Sequence, residues 1–469
     1  MNNKLRLLML LFIVLAALLT SCMGTNYSRK GWVEAFDLMH EEVSREYPFT
    51  ELKRIDWDAL YDQTMPEIRQ AEANQDKTHY YLAMKKYALS IPDYHVVLAG
   101  EDFGLRKKYS GAGYGFGIIK LLDDGRYIAH VLLEDGPALQ SGMQWGAEIL
   151  QWNDRPIEEA VQQASLLWAE RMHPTQEGQF LERCRYLLRA QVGDTTTVTF
   201  MNPNENDSQT VTLIAKADDS EHLKKTAVAI KPNKSLVRSP IQSRMITDEI
   251  GYIEIASLMP NFFSWHLNSH FRNALKKCLK QNAKALILDV RGNEGGLDKL
   301  ASQIAGYFYQ EQDFYEAIAY YSETADSFVI KPDETLLIEP QNPYFDGPIA
   351  VLVDKGTVSS AEGIPLTLQR LKNGVVIGQH GTNGSFAMST FGTLYRLPEG
   401  LAFLFFEGRS LDKNNQIQVD ANWEGEGGIT PDVRVPVTVE QVEAQYRQGK
   451  DVILQTAVEY LQNNQLNEM

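Results

Sequence analysis

The stretch Ala285-Leu286-Ile287-Leu288-Asp289 runs straight into Val290-Arg291-Gly292-Asn293-Glu294-Gly295-Gly296. A short apolar run closed by glycines is a strand buried on both faces, and such a strand needs a sheet covered by helices. The neighbouring sequence supplies both. Strand patterns at Gly251–Ala256, Ile349–Asp354 and Val375–Gly378 alternate with helical patterns at 262–280, 298–309 and 360–372, so residues 236–469 read as α/β. The chain has 469 residues, enough for about three domains, and 44% are hydrophobic. Its net charge of −16 repels phosphate before contact, which argues against nucleic acid as a partner. Three cysteines without a CxxC pair make neither a disulfide framework nor a zinc site.

Residues 30–91 carry apolar side chains at helical spacing, among them Trp32, Phe36 and Met39, then Leu60, Met65 and Ile68, then Tyr80, Met84 and Leu89. From about residue 110 the pattern changes to glycine-rich strands, with Tyr127–Leu132 followed by a helical insert over 157–190. Thr195–Phe200 and Thr210–Ile214 read as a hairpin around Asn202–Ser208. At the N-terminus Lys4 and Arg6 precede thirteen apolar residues, Leu7–Leu19. That run is too short to span a bilayer but suits a signal-peptide core. Its closing Leu19-Thr20-Ser21-Cys22 resembles the lipobox of bacterial lipoproteins, in which the cysteine is acylated and becomes the first mature residue. Each buried CH₂ of such chains contributes about 0.8 kcal/mol to anchoring.

Gly115-Phe116-Gly117-Ile118, followed by Asp135-Gly136-Pro137-Ala138 and Gly146-Ala147-Glu148-Ile149-Leu150, resembles a PDZ domain. That module captures a C-terminal carboxylate by strand addition, with glycine amides approaching the ligand and apolar neighbours flooring the pocket. The expected organisation is therefore a leader at 1–21, a helical domain at 22–104, a PDZ-like domain at 105–218, a linker at 219–235 and an α/β core at 236–469.

In Val351-Leu352-Val353-Asp354-Lys355-Gly356-Thr357-Val358-Ser359-Ser360-Ala361-Glu362 a buried strand feeds a turn and then a helix, placing Ser359 at the helix start. Unpaired N–H groups there can stabilise an oxyanion. The same Ser-Ser-Ala-Glu run is also a capping box, which needs no chemistry. The Arg-Gly-Asn-x-Gly-Gly loop, the Thr357–Glu362 turn and the closing Gly428-Ile429-Thr430-Pro431-Asp432-Val433 together resemble the C-terminal-processing (tail-specific) serine peptidases. The resemblance implies a ClpP/crotonase-like core, Ser359 as nucleophile, and an oxyanion hole from the Ser360 amide with a Gly295 or Gly296 amide.

Many members of that family take a lysine base from a later loop. Here the lysine position falls on Gly384 or Ser385, and no lysine lies between Lys372 and Lys413. The branch resembling the tricorn core protease uses an upstream histidine, which corresponds to His95 in Asp93-Tyr94-His95-Val96; His380 is the reserve. His95 can accept the serine proton near neutral pH and return it to the leaving amine. In that branch a carboxylate before the Pro-Asp motif orients the histidine, and Glu424 fits it best, with Glu426 second. Glu362 is expected to cap the nucleophile helix. His266 and His270 lack the glutamate of a zinc hydrolase motif and read as a surface pair. No metal or cofactor is implied.

The expectation is an exported serine endopeptidase, lipid-anchored through Cys22 to the bacterial cell envelope, on the periplasmic side of the outer membrane. It would act on proteins or peptides with free C-termini, gripped at Gly115–Ile118. The alternative is a non-catalytic peptide- or lipid-binding lipoprotein on the same scaffold, as in the related modules of interphotoreceptor retinoid-binding protein.

Overall fold

The computed structural model describes residues 24–227, 239–260, 266–387 and 392–464. The expected leader and Cys22 lie outside these residues, as does 228–235 of the expected linker. Two units divide the chain. One holds the residues up to Phe103 with Ala319–Ile330 and Ala387–Arg409, and the other holds the remainder.

In the first unit, helices Trp32–Glu46, Trp57–Asn74 and Lys77–Leu89 bury the apolar stripe expected from the sequence, with Phe36, Met39, Ile68 and Met84 fully enclosed. Asp56 and Asp76 cap the second and third helices through bonds from Ala59 N and Thr78 N. Periodicity did not reveal a four-stranded sheet, ordered Thr25–Asn26, Thr393–Arg396, Ala402–Phe405, Val97–Ala99. Its middle strands come from the far end of the sequence, and no local pattern in residues 22–104 announces such a pairing.

The second unit begins with an antiparallel sheet of β1 (Phe116–Lys120), β2 (Tyr127–Leu132), β3 (Glu148–Trp152), β4 (Thr195–Met201) and β5 (Gln209–Ile214), ordered β5-β4-β3-β2-β1. β1 is therefore an edge strand. The insert is not one helix but two, Ile157–Gln162 and α1 (Gln176–Tyr186). Pro174 disfavours helix at His173, and Thr175 restarts it as N-cap through Gly178 N. The segment read as linker opens with a short helix, Glu221–Lys225. The Asp218 carboxylate turns the chain through Ser220 N (3.1 Å), and Leu223 is buried, so this stretch packs rather than links.

Beyond it, β6 (Ile241–Met245) lies antiparallel to β7 (Ile250–Ile255). Then β8 (Ala285–Asp289), β9 (Ile349–Leu352), β10 (Gly374–Gly378) and β11 (Val433–Arg434) extend the sheet in parallel, in the order β6-β7-β8-β9-β10-β11. Period-two alternation splits β8 between two cores. Leu286 and Leu288 pack with Phe271 and Leu275 of α2 (Leu267–Lys280) and Ile304 of α3 (Asp298–Ala305). Ala285 and Ile287 pack with Ala457 and Leu461 of α5 (Val452–Asn464). The helix expected over 360–372 is a 3₁₀ turn at Ser359–Ala361 followed by α4 (Gly363–Leu368). It stops early because the chain folds back so tightly that a Cβ on Gly374 would sit 2.0 Å from Leu368 O. His266 precedes α2, and His270 bonds Ser239 Oγ through Nδ1 at 2.6 Å.

The motif arginine is structural. Arg291 is buried and reaches both oxygens of Asp289 (3.0 and 2.8 Å) and of Asp451 (2.8 and 2.7 Å), tying the end of β8 to the start of α5. Removing one partner of a buried pair leaves the other charge uncompensated, at about 3–5 kcal/mol. Arg291→Ala is therefore expected to lower the denaturant midpoint by an equivalent amount at unchanged m. Asp451→Ala, whose side chain is more exposed, should cost less.

Candidate active site

Buried β8 and β9 run side by side and deliver two loops to one end of the sheet. Several bonds join these loops. The Asp354 carboxylate accepts from Gly292 N (2.7 Å) and Gly356 N (2.9 Å), Thr357 Oγ1 donates to Val290 O (3.0 Å), and Val358 N donates to Asn293 O (3.0 Å). Asn293, fully buried, gives its Nδ2 to Ile255 O (2.8 Å) and accepts Gly295 N (2.9 Å) at Oδ1. Of the two glycine amides considered for the oxyanion hole, that of Gly295 is thus already committed. The Ser360 and Gly296 amides have no backbone acceptor among the described residues.

Ser359 has φ +58°, the left-handed region that a non-glycine residue enters only when its surroundings enforce it. Its N–H is shared between Ser385 O (2.9 Å) and Glu362 Oε2 (3.1 Å). Its hydroxyl caps nothing, so only the glutamate half of the capping box forms. A Cβ on Gly295 would lie 2.7 Å from Ser359 Cβ and 3.1 Å from Ser360 N, so the glycine lets the loop close on the serine. Gly295 itself has φ +89°.

Glu362 does more than cap. Its buried carboxylate also accepts Thr382 Oγ1 (2.5 Å), Gly384 N (2.8 Å) and Ser385 N (3.1 Å). Burial pushes its pKa up to about 7, against the pull of these donors. The 378–385 loop is therefore a brace: Gly384 and Ser385 present backbone to Glu362 and Ser359.

A lysine does reach this loop, from a position sequence reasoning did not consider. Lys355 Nζ, nearly buried, donates to Thr382 O (2.9 Å) and Thr175 Oγ1 (3.1 Å) and pairs with Glu177 (3.1 Å). Burial lowers its pKa. Glu177 of α1 also pairs with His380 Nδ1 (3.0 Å) and Arg434 (2.9 Å). Burial alone would raise this carboxyl, but His380, Lys355 and Arg434 together hold it well below the usual carboxylate range. His380, the reserve base, is thus tied to Glu177.

His95 belongs to the first unit. Its N–H donates to Asp93 Oδ1 (2.8 Å), its Nδ1 lies 3.7 Å from the same oxygen, and its ring stacks on Phe406 at 4.4 Å. Tyr47 OH holds the other Asp93 oxygen at 2.6 Å, so the turn is firmly set. Glu424 and Glu426, in the second unit, are exposed in a turn ordered by Asn422 Oδ1, which accepts both their amides (2.9 and 3.1 Å). Nearby Asp420, which sequence reasoning passed over, is buried and accepts Phe386 N at 3.1 Å.

In the β sheet Gly115 has φ +80° and approaches Gly136 closely, while Phe116, Gly117 and Ile118 of edge strand β1 are buried. A cavity of about 510 Å³ adjoins Gly113 and Gly115, and its wall carries Lys216 and Lys225 together with Glu134, Asp135, Asp218 and Glu221. Among the described residues no cluster of three or more His, Cys, Asp or Glu is placed to hold a metal ion.

The parallel strands β8 and β9 thus bring a glycine loop against a serine held at positive φ. Residues 249–435 of this 469-residue chain match the model of Peptidase family S41. The chain is 24% identical over 220 residues to the carboxyl-terminal-processing protease of Picosynechococcus, covering 47% of this chain and 45% of that one. It is 23% identical over 392 residues to chloroplastic carboxyl-terminal-processing peptidase 3 of Arabidopsis thaliana, covering 81% and 64%. It thus spans less than two thirds of either relative's length. Among solved structures, mature CPAF shares the fold at a TM-score of 0.63 and 12% identity, over 93% of this chain and 98% of that one.

Removing the Glu362 side chain takes the carboxylate acceptor from the Gly384 and Ser385 amides and the Thr382 hydroxyl, each worth about 1–3 kcal/mol, while the Ser359 amide keeps Ser385 O. Glu362→Ala is expected to lose more than about 3 kcal/mol of stability in urea titration. A loss under about 1 kcal/mol contradicts the bracing role.

Proposed function

We propose that this protein is a serine endopeptidase acting on C-terminal or unfolded tails of cell-envelope proteins, held at the envelope by an acylated Cys22. Ser359 Oγ attacks the scissile carbonyl, and His95 takes its proton. The oxyanion of the tetrahedral intermediate is received by the Ser360 and Gly296 amides. His95 then protonates the leaving amine, and water releases the acyl group from Ser359 by the reverse sequence. The single observation carrying this reading is the strained, uncapped Ser359 beside two amides without backbone acceptors.

Glu424 is the carboxylate proposed to steady the imidazolium. Because it is exposed, solvent screens it, and Glu424→Gln is expected to lower kcat by less than about tenfold. The antiparallel sheet is proposed to act as a PDZ module. Edge strand β1 and the Gly115 turn support capture of a free carboxylate by strand addition.

Ser359→Ala is expected to reduce cleavage of an unstructured polypeptide at least about a thousandfold while the thermal midpoint stays put. Equal cleavage by both proteins rules the assignment out. Binding of a tail peptide to Ser359→Ala is expected to weaken about tenfold or more when its C-terminus is amidated, since a charge-assisted bond is lost. Equal affinity for free and amidated peptides would remove the carboxylate-capture role.

A further inference from the structure

Lys355 stands four residues before Ser359, its side chain is only 2% exposed, and the chemistry above gives it no part. A lysine so close in sequence to a serine nucleophile invites the role of base. Counting donors decides against that role. An ammonium has three hydrogens and no lone pair. Here three acceptors meet it: Thr382 O at 2.9 Å, Thr175 Oγ1 at 3.1 Å and Glu177 Oε2 at 3.1 Å. A neutral amine would have two hydrogens for the same three acceptors.

The turn 355–359 and the stretch 382–385 are laced at three points. Lys355 Nζ donates to Thr382 O, Asn383 N to Thr357 O (3.0 Å), and Ser359 N to Ser385 O (2.9 Å). The last two are bonds between backbones and need no particular side chain. The first depends on lysine, so the residue at 355 sets the outer end of the lacing. Thr382 is the node it holds. The Thr382 hydroxyl donates to Glu362 Oε1 (2.5 Å) and accepts Ile429 N (2.6 Å), while its amide donates to Ile429 O (3.1 Å). Glu362 Oε2 then accepts Ser359 N and Ser385 N, both at 3.1 Å. On the far side Lys355 is anchored to the start of α1, where Thr175 caps the helix through Gly178 N (3.2 Å) and Glu177 Oε2 also accepts Gly381 N (3.1 Å).

We propose that Lys355 is a positioning residue for Ser359 and not its base: its ammonium holds Thr382 against the start of α1, and Thr382 holds Glu362 beneath the Ser359 amide. The inference rests on the peptidase reading for its catalytic consequence. Ser359 keeps its left-handed backbone only while its surroundings enforce it. Without the Lys355 donor, Thr382 O and Thr175 Oγ1 lose a partner, and the Thr382 hydroxyl is no longer fixed over Glu362. The serine then samples geometries in which its hydroxyl and the neighbouring amides do not converge on one carbonyl, which lowers the rate of attack and leaves substrate binding unchanged. Glu177 serves the same tie from its other end, as the counter-charge that lets an ammonium stay enclosed there.

The test measures hydrolysis of an unstructured polypeptide well below the thermal midpoint of every variant. Lys355→Met, which keeps the stem and has no donor, is expected to lose at least about tenfold in kcat with KM within about twofold. A tie that only stabilised the fold would leave kcat of the folded protein unchanged. Lys355→Arg keeps the charge and the donors but takes no proton from serine, and should return kcat to within about fivefold of wild type. Where arginine does not fit the enclosure, a double-mutant cycle decides. Lys355→Met combined with Glu177→Gln should lose no more than Lys355→Met alone, because both act through one tie. Hydrogen exchange gives a reading independent of catalysis, and Lys355→Met should speed it at the Gly384 and Ser385 amides. A kcat for Lys355→Met within about twofold of wild type, or losses that multiply in the double variant, overturns the inference and leaves the peptidase reading intact. Loss of kcat in both the methionine and the arginine variants with exchange unchanged overturns it in favour of a base. No hydrolysis by wild type, with faster exchange in Lys355→Met, overturns the peptidase reading and the positioning role with it, and leaves only the tie.

Discussion

The rest of the site depends on holding one non-glycine residue where its backbone does not relax. Ser359 at φ +58° carries a strain of about 1–3 kcal/mol that its surroundings must override. Bonds of Asp354, Thr357 and Val358 to the neighbouring loop fix the turn from one side, and Glu362 and Ser385 fix its amide from the other. Gly295 completes the enclosure by what it lacks, because any side chain there would strike Ser359 Cβ. Strain held in this way presents a hydroxyl that the local helix start would otherwise absorb as a cap.

Buried carboxyls around the turn are met by donors or by paired cations. Glu362 has four donors, and Asp289 is paired with Arg291 and bonded by Tyr252 OH at 2.7 Å. Glu177 draws Lys355, His380 and Arg434 to one point and joins α1 to the 378–385 loop. The proposed chemistry thus sits among acids whose states differ by environment and not by residue type.

How much of this was legible in the sequence follows from the range of each interaction. The strand Ala285–Asp289 was read at its observed bounds, because a short apolar run between breakers has few other readings. The same holds for Tyr127–Leu132. Ser359 was placed correctly at a helix start, but its positive φ was not legible, since serine carries no mark of that conformation as glycine does. Lys355 and Glu177 were missed for another reason. Their partners stand far away in sequence, on elements whose relative placement no periodicity encodes. The strands 393–396 and 402–405 joined the first unit by the same kind of distant pairing.

The central claim is that Ser359 is an activated nucleophile and not a capped helix start. The most direct measurement is labelling of the folded protein with a fluorophosphonate, with the modified residue identified by peptide mass spectrometry. The account expects a single adduct on Ser359, lost when Gly295 is replaced by alanine. A folded protein that takes no label, or takes it elsewhere while Ser359 stays free, contradicts it.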